Sequence, residues 1–225
     1  MSRITCVVQA RMSSNRLPGK VLCEIAGMPM LELVIRRLQR SREIGRIIVA
    51  TSIEAEDDLI EALCFRLGVN CQRGDLKDVR GRFRDALRDD KPEHFVRITA
   101  DCPLIDPEVV DKAVMAHISE KADYTTNTLR RTYPKGLDVE VIRYESFLKT
   151  FSLESTGYDN EHVTPILRRD DEFRQLNIEN NTDLSSLRWT VDYLYDLENI
   201  RRISARVTDI VAANMRDFLD SSPSC

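Results

Sequence analysis

The sequence lacks the features that mark several large classes of protein. Its six cysteines are scattered and include no C-x-x-C pair, so neither a zinc site nor a disulfide framework is indicated. No apolar run approaches the ~20 residues that are needed to cross a bilayer. The N-terminus has no basic segment followed by an apolar core and a cleavage site, so no signal peptide is expected. Together these absences predict a reduced, cytoplasmic protein without a membrane segment.

The chain also lacks an excess of positive charge and any sign of modular construction. Its formal net charge is -4, whereas non-specific binding to nucleic acid needs a basic surface that displaces counterions. The sequence contains no internal repeat, no low-complexity segment and no linker rich in glycine or proline. Its 225 residues are enough for one well-buried domain. We therefore predict a single domain over 1–225, with a first half over about 1–120, a second over about 121–205 and a tail over 206–225.

One loop near the N-terminus holds an unusual density of anion-binding groups. The apolar, β-branched run at 4–8 predicts a buried strand. Three cations and two hydroxyls then cluster around the Pro18-Gly19 turn: Arg11, Ser13, Ser14, Arg16 and Lys20. Arginine and lysine both suit phosphate oxygens, and a Pro-Gly turn lets the loop fold back on itself. We interpret the loop as a phosphate-binding site, and an ordinary solvated basic loop is the alternative.

Predicted strands and helices alternate along the first half, which indicates an α/β fold with a mostly parallel central sheet and helices on both faces. The predicted strands are 4–8, 46–51, 69–73, 95–99, 123–127, 137–142, 173–178 and 187–191. The predicted helices are 30–38, 56–67, 76–87, 107–118, 144–153, 161–169 and 194–203. The final S-S-P-S-C at 221–225 is expected to fray.

Carboxylates stand at the ends of two predicted strands that are far apart in the sequence. Asp101 follows the strand at 95–99, and Asp192 follows the segment at 187–191. Ligands of open α/β sheets bind beyond the carboxyl ends of the strands, so both aspartates are expected near the phosphate loop. Two carboxylates together with substrate phosphates are a plausible Mg²⁺ site. For either aspartate alone, a helix N-cap is the alternative.

A second pair of carboxylates, Asp138 and Glu140, lies two residues apart on a predicted strand. Their side chains therefore share one face of it, opposite Leu137, Val139 and Val141. This face is a candidate site, and the solvent-exposed face of a half-buried strand is the alternative.

Seven segments carry a resemblance to a known family. In order they read Q-A-R-M-S-S-N-R-L-P-G-K-V-L, V-A-T-S-I-E-A-E-D-D-L-I, R-G-D-L-K-D-V, R-I-T-A-D-C-P-L-I-D-P, Y-P-K-G-L-D-V-E-V, E-H-V-T-P and L-R-W-T-V-D. They resemble the spore-coat polysaccharide (SpsF-like) cytidylyltransferases, which are relatives of the acylneuraminate and 3-deoxy-manno-octulosonate enzymes. The resemblance runs over about 4–203. It implies a GT-A-like nucleotidyltransferase fold with a small β-rich acceptor and dimerisation region, CTP and Mg²⁺, and a homodimer.

The resemblance also implies roles for individual residues. The triphosphate would be held by Arg11, Ser13, Ser14, Arg16 and Lys20, and the cytosine and ribose would be bordered by Gln9, Ala10, Arg73 and Asp78. Asp101 and Asp192 would ligate Mg²⁺ and, with Arg11 and Lys20, form the catalytic set. The acceptor pocket would draw on Lys135, Asp138, Glu140 and His162. One departure from the family pattern lies beside the metal position, where Ala100 stands in place of the usual glycine.

The implied reaction is the attack of a sugar-acid hydroxyl on the α-phosphorus of CTP, with release of pyrophosphate, for the synthesis of surface polysaccharide. Four alternatives stay open. They are transfer to a sugar phosphate or another phosphorylated small molecule, use of a different nucleotide, a glycosyltransferase on the same fold, and an inactive nucleotide-binding module of a glycan-synthesis complex.

Overall fold

A seven-stranded sheet forms the centre of the molecule, with strand order β5-β4-β1-β6-β8-β7-β9. A computed structural model describes residues 4–220, and the fraying expected at 221–225 lies outside them. The strands are β1 Ile4–Gln9, β2 Glu24–Ile25, β3 Met28–Pro29, β4 Ile44–Ser52, β5 Asn70–Gly74, β6 His94–Thr99, β7 Tyr124–Thr126, β8 Glu140–Arg143 and β9 Gln175–Asn177. The helices are α1 Met30–Leu38, α2 Asp58–Leu67, α3 Val79–Leu87, α4 Pro107–Glu120, α5 Tyr144–Lys149, α6 Gly157–His162, α7 Pro165–Arg169, α8 Leu194–Ser204 and α9 Met215–Asp220.

The sheet is mostly parallel, as predicted, and β8 is its one reversed strand among the described residues. Strands β5, β4, β1 and β6 run side by side in the same direction. Strand β8 is antiparallel to both β6 and β7, and pairs Glu140 with Arg97 on one side and with Thr126 on the other. Because β8 is reversed, its first residue lies at the edge where its neighbours end. Residues from both halves of the chain therefore meet at one edge of the sheet.

Each face of the sheet is covered by its own hydrophobic core. Alternate residues of β1 point to opposite faces, so Cys6 and Val8 pack with α1, α2, α4 and α8, whereas Val7 packs with α3, α5 and α7. The five cysteines of residues 4–220 form no disulfide bond. Over the same residues, no helix has the length and apolar character that a membrane span requires.

The prediction of a strand at 187–191 is wrong. One isolated parallel bridge, between Lys135 and Arg188, joins this segment to its neighbour. The segment that contains Lys135 lies against 187–191 at Gly136. There φ is 110°, and an added Cβ would lie 2.5 Å from backbone atoms of Trp189 and Thr190. The Val191 amide then donates to the Asp101 carbonyl at 2.9 Å instead of to a strand. This contact brings the two candidate metal ligands side by side.

The prediction of one helix at 161–169 is also wrong, because α6 ends at His162 and a separate helix, α7, begins at Pro165. Pro165 has no N–H to continue the ladder, and Val163 takes φ 70° and ψ −50°. Positive φ is costly for a β-branched residue, and such strain concentrates at functional sites. The break lets the Thr164 hydroxyl donate to Glu140 Oε1 at 2.7 Å.

The strand predicted at 137–142 begins three residues later than expected, at Glu140. The Asn127 side chain donates to the Leu137 carbonyl at 2.6 Å and accepts from the Val139 amide at 3.0 Å. These side-chain hydrogen bonds replace the ladder of a strand. Asp138 consequently belongs to an irregular segment that leads into β8.

A buried histidine predicts sensitivity to acid. His117 is fully buried in α4, with Nδ1 2.8 Å from the Thr125 hydroxyl and Nε2 3.1 Å from His94 Nδ1. Burial, and then the neighbouring His94, lower the pKa of His117 to about 3. An unfolded histidine has a pKa of about 6.5, so between these values the unfolded chain binds a proton that the folded chain does not.

We therefore expect the contribution of His117 to leave the free energy of unfolding undiminished above pH 6.5. Between pH 7 and pH 4 it should lower that free energy by about 3 kcal/mol. Urea titrations across this range measure the slope of the free energy of unfolding against pH. His117→Gln should flatten it, whereas the same substitution at the exposed His162 should leave it in place. A slope that His117→Gln does not change would contradict this assignment.

Candidate active site

The loop between β1 and the turn at Lys20 is fixed at both ends. Gly19 takes φ 70°, and its amide donates to the Met12 carbonyl at 2.9 Å, which closes the loop. Asp57 accepts from the Met12 amide at 2.7 Å, and also from Thr51 Oγ1 and the Ser52 amide at 2.9 Å each. The loop is therefore attached to the carboxyl end of β4, beside the end of its own strand.

A cavity of about 500 Å³ opens over this loop at the carboxyl edge of the sheet. Several of the predicted nucleotide-binding residues and both predicted metal ligands line it: Gln9, Ala10, Arg11, Ser14, Arg16, Lys20, Asp101 and Asp192. His162, which the sequence assigned to the acceptor pocket, lines it as well. The structure thus brings together residues that lie more than 170 positions apart in the chain.

Lys20 lies at the centre of this cavity's charged groups. Its Nζ donates to Asp101 Oδ2 at 2.8 Å, to the Val191 carbonyl at 2.7 Å and to Asp192 Oδ1 at 3.2 Å. The ammonium group of Lys20 therefore occupies the position that these three oxygens surround. Lys20 is only 9% exposed, which makes the contacts stronger than those of a surface ion pair.

Asp192 is held as a carboxylate by several cations. Arg188 Nη2 donates to its Oδ2 at 2.8 Å, and Arg16 Nη2 donates to its Oδ1 at 2.6 Å. Burial by itself would raise the pKa of Asp192, but Arg188 and Lys20 more than offset that effect, so the net pKa lies below its usual value. Asp196 orients Arg188 by accepting from its Nε at 2.7 Å and from its Nη2 at 3.0 Å.

Neither candidate metal ligand is a helix cap. Asp106 is the N-cap of α4, and its side chain accepts from the Glu108 amide at 2.8 Å. Tyr193 is the N-cap of α8, and the side chain of Asp196 accepts from its amide at 3.0 Å. Asp101 instead accepts from the Thr99 hydroxyl at 2.6 Å, which fixes the direction in which its other oxygen faces. The alternative interpretation of the two aspartates as caps is therefore excluded.

The other loop cations have partners that a ligand can replace. Arg11 pairs with Glu161 at 3.0 Å, and these side chains are 34% and 46% exposed. The guanidinium of Arg16, which is half exposed, also lies 5.1 Å from the centre of the Tyr193 ring. Ion pairs at such exposure contribute little stability, so exchange for phosphate oxygens costs little.

A second cavity of about 460 Å³ adjoins the first and shares Arg97, Thr99 and His162 with it. Its lining includes Asp138 and Glu140, which the sequence placed in the acceptor pocket, and also Arg168. Arg168 Nη2 donates to Thr128 Oγ1 at 3.2 Å and faces no carboxylate partner among the described residues. The two cavities therefore adjoin along these shared residues, and together they form the cleft at this edge of the sheet.

A buried network of polar side chains lies where the two cavities adjoin. Glu140 forms an ion pair with Arg97 and accepts from the hydroxyls of Tyr124 and Thr164. Arg97 also donates to Gln9 Oε1 at 3.0 Å. Burial would raise the pKa of Glu140, but Arg97 and the two hydroxyls more than offset it, so the pKa is lowered overall. The alternative of a solvent-exposed strand face does not hold for Glu140, which is buried.

The remaining predicted residues lie outside these two cavities. Ser13 and Asp78 line a third cavity of about 810 Å³, which adjoins the first at Arg11, and Asp78 also caps α3. Arg73 pairs with Asp58 at 2.6 Å and with Glu61 at 2.8 Å, away from the cleft. Lys135 is exposed and lines none of the three cavities. Their assigned roles stay predictions.

Sequence reasoning missed several residues that the cleft contains. The most informative are Arg97, Thr99, Glu161, Arg168 and Arg188. A charged side chain inside the apolar strand H-F-V-R-I-T was a usable signal for Arg97. The sequence contained no such signal for Arg168 or Arg188. Arg168 reaches the site only because of the break at Val163, and Arg188 only because 187–191 approaches Asp101.

The sequence profile of the cytidylyltransferases matches residues 5–211. The chain belongs to this family. It is therefore a CTP-dependent nucleotidyltransferase, and the SpsF-like resemblance, the nucleotidyltransferase fold and the prediction of an enzyme are confirmed.

Individual relatives of this cytidylyltransferase cover most of its length. The spore coat polysaccharide biosynthesis protein SpsF of Bacillus subtilis is 28% identical and covers 99% of this chain and 96% of its own. The structure of a cytidylyltransferase from Leptospira borgpetersenii superimposes with a TM-score of 0.92, at 28% identity, over 98% of this chain and 93% of that one. The 3-deoxy-manno-octulosonate cytidylyltransferase of Geobacter sulfurreducens is 31% identical over 67% of this chain and 60% of its own.

Proposed function

We propose that this cytidylyltransferase transfers CMP from CTP to a sugar acid of the nonulosonic or octulosonic type, with Mg²⁺ and release of pyrophosphate. The observation that carries the proposal is the convergence of the phosphate loop with Asp101 and Asp192 beside a second, adjoining cavity. The names of the Geobacter and Bacillus relatives favour a sugar-acid acceptor and a role in surface polysaccharide synthesis. A cytoplasmic homodimer that binds neither membrane nor nucleic acid completes the proposal.

The donor set fits a magnesium ion. Two carboxylates and one carbonyl, all hard oxygen donors, already surround the ammonium of Lys20. Residues 4–220 contain no cluster of three or more His, Cys, Asp and Glu side chains suited to a metal. A site with few protein carboxylates is typical of Mg²⁺, which keeps its other positions for water and substrate phosphates. Asp101 and Asp192 would hold the ion, which supplies charge neutralisation at the reacting phosphate.

The residues of the chain supply positioning and charge. Arg11, Arg16 and Lys20 bind the triphosphate, and they stabilise the charge that develops on the leaving pyrophosphate. The acceptor hydroxyl oxygen forms a bond to the α-phosphorus, and the bond from that phosphorus to the bridging oxygen of the β-phosphate breaks. The electron pair leaves with pyrophosphate, and the hydroxyl proton passes to solvent. Holding both reactants in one cleft accounts for much of the rate.

The second cavity supports an anionic acceptor. Arg97 and Arg169, which both line it, are paired with carboxylates, whereas Arg168 donates to a hydroxyl and has no carboxylate partner within residues 4–220. A guanidinium fork fits a carboxylate, and it fits a phosphate equally well. Arg168 is therefore compatible with a sugar acid, and also with the alternative acceptor, a sugar phosphate.

Pyrophosphate release tests the function directly. We expect release with CTP and Mg²⁺ in the presence of one member of a panel of nonulosonic acids, octulosonic acids and sugar phosphates, and none with ATP, GTP or UTP. Arg168→Met should raise the KM for the acceptor and leave the KM for CTP unchanged. Release only with a sugar phosphate would replace the acceptor class. Binding of CTP without release across the panel would favour the inactive module.

A further inference from the structure

The position between the two candidate metal ligands is filled by the protein's own cation. An ammonium group has three donors, and Lys20 directs one each to Asp101, the Val191 carbonyl and Asp192. Lys20 is 9% exposed, so few of its contacts are shared with solvent. In the chain without ligands, this ammonium is therefore directed into the carboxylate pair.

All four oxygens of the two carboxylates are in use. Asp101 Oδ1 accepts from the Thr99 hydroxyl, and Oδ2 accepts from Lys20. Asp192 Oδ1 accepts from Lys20 and Arg16, and Oδ2 accepts from Arg188. A divalent ion needs direct contact with such oxygens, and it is repelled by a cation at the same position. The ammonium and the metal ion therefore exclude each other.

Two of these cations are able to change partners and one is not. Lys20 and Arg16 belong to the phosphate loop, so a triphosphate in the first cavity offers them new anionic partners. A lysine has a flexible four-carbon stem, which permits such a movement. Arg188 is also bonded to Asp196 by two nitrogens, so it stays and keeps Asp192 oriented.

We propose that Lys20 is a built-in counter-cation that closes the metal position until a triphosphate arrives, so that the divalent metal binds only with or after the nucleotide. The inference rests on the proposed function, because it takes Asp101 and Asp192 as the metal ligands. Removal of Lys20 should then have opposite effects on two properties. It should weaken nucleotide turnover and strengthen metal binding by the chain alone.

Binding of Mn²⁺ to the full chain without nucleotide, followed by electron paramagnetic resonance, tests this proposal. If Lys20 fills the position in about nine molecules of ten, Lys20→Met should bind Mn²⁺ about tenfold more tightly than the wild type. The double variant Lys20→Met with Asp101→Asn should lose that gain. Lys149→Met is the matched control, because it removes an exposed lysine that is paired with Glu172 at 3.1 Å, and it should leave Mn²⁺ affinity unchanged. Equal Mn²⁺ affinity of the wild type and Lys20→Met would overturn the proposal.

A second measurement on the wild type does not depend on the variant's folding. Calorimetry should show CTP binding in the presence of EDTA, because the phosphate loop acts before the metal. Binding of Mn²⁺ to the wild type alone, combined with no CTP binding in EDTA, would reverse the order and refute the inference. The proposed function fails by a different readout, the absence of pyrophosphate release, so the two failures are distinguishable.

Discussion

Asp101→Asn is expected to lower kcat about 10³-fold while the chain stays folded. The loss of a charged metal ligand removes several kcal/mol of transition-state stabilisation, which corresponds to a rate loss of this order. Asparagine keeps the shape of the side chain and an oxygen for the Thr99 hydroxyl, which now lies 2.6 Å from Asp101 Oδ1. What it lacks is the charge that pairs with Lys20 and would hold the metal.

Pyrophosphate release at saturating CTP and acceptor measures this effect, and the thermal midpoint by circular dichroism checks the fold. Asp183→Asn is the control, since it makes the same change at an exposed aspartate whose side chain accepts from the Ser185 amide at 2.9 Å. It should leave kcat unchanged. Near-normal turnover of Asp101→Asn would show that the metal role is assigned to the wrong residue.

Glu140→Gln is expected to lower the free energy of unfolding by about 3 kcal/mol, because it removes one partner of a buried ion pair and leaves Arg97 with a neutral amide. The pKa of Glu140 is lowered in the folded chain despite its burial. Its stabilisation is therefore present above the pKa of an unfolded glutamate, about 4.3, and is lost as the pH falls through the folded value. At pH 7 the whole contribution is in place.

Urea unfolding at pH 7 measures this loss, and Glu161→Gln provides the matched control. Glu161 lines the same cleft and pairs with Arg11, but its side chain is 46% exposed, so its neutralisation should cost less than about 1 kcal/mol. If Glu140→Gln unfolds like the wild type and raises the KM for the acceptor, Glu140 is a substrate ligand, as the sequence suggested. Loss of stability with an unchanged KM would assign it to the scaffold.

The elements of the first half could be predicted from sequence because local pattern and tertiary role agree there. Helix α1 was predicted with its observed bounds, since apolar positions at 31, 34, 35 and 38 form one buried face. The central strands are buried on both faces and read as continuous apolar runs. The position of the phosphate loop followed from these strands, because a loop after a central parallel strand lies at the carboxyl edge of the sheet.

The second half was predicted less well because its conformation depends on partners distant in sequence. The Asn127 side chain delays the start of β8, and Pro165 divides one expected helix into two. The segment at 187–191 has the residue types of a strand, but its backbone pairs with the loop of Asp101. No local pattern reports such contacts, since each depends on two parts of the chain that meet only after folding.

The fold class, the phosphate loop and the presence of two carboxylates near it could be predicted before folding was considered, because they depend on short-range patterns and on the direction of parallel strands. Three other features became visible only in the folded chain: Lys20 lies between Asp101 and Asp192, Arg188 fixes the second of these, and Glu140 is buried in an ion pair. The physical reason is that a side chain's partners, burial and pKa are set by the whole surrounding shell. Residues as far apart as Lys20 and Asp192 share that shell only in the folded chain.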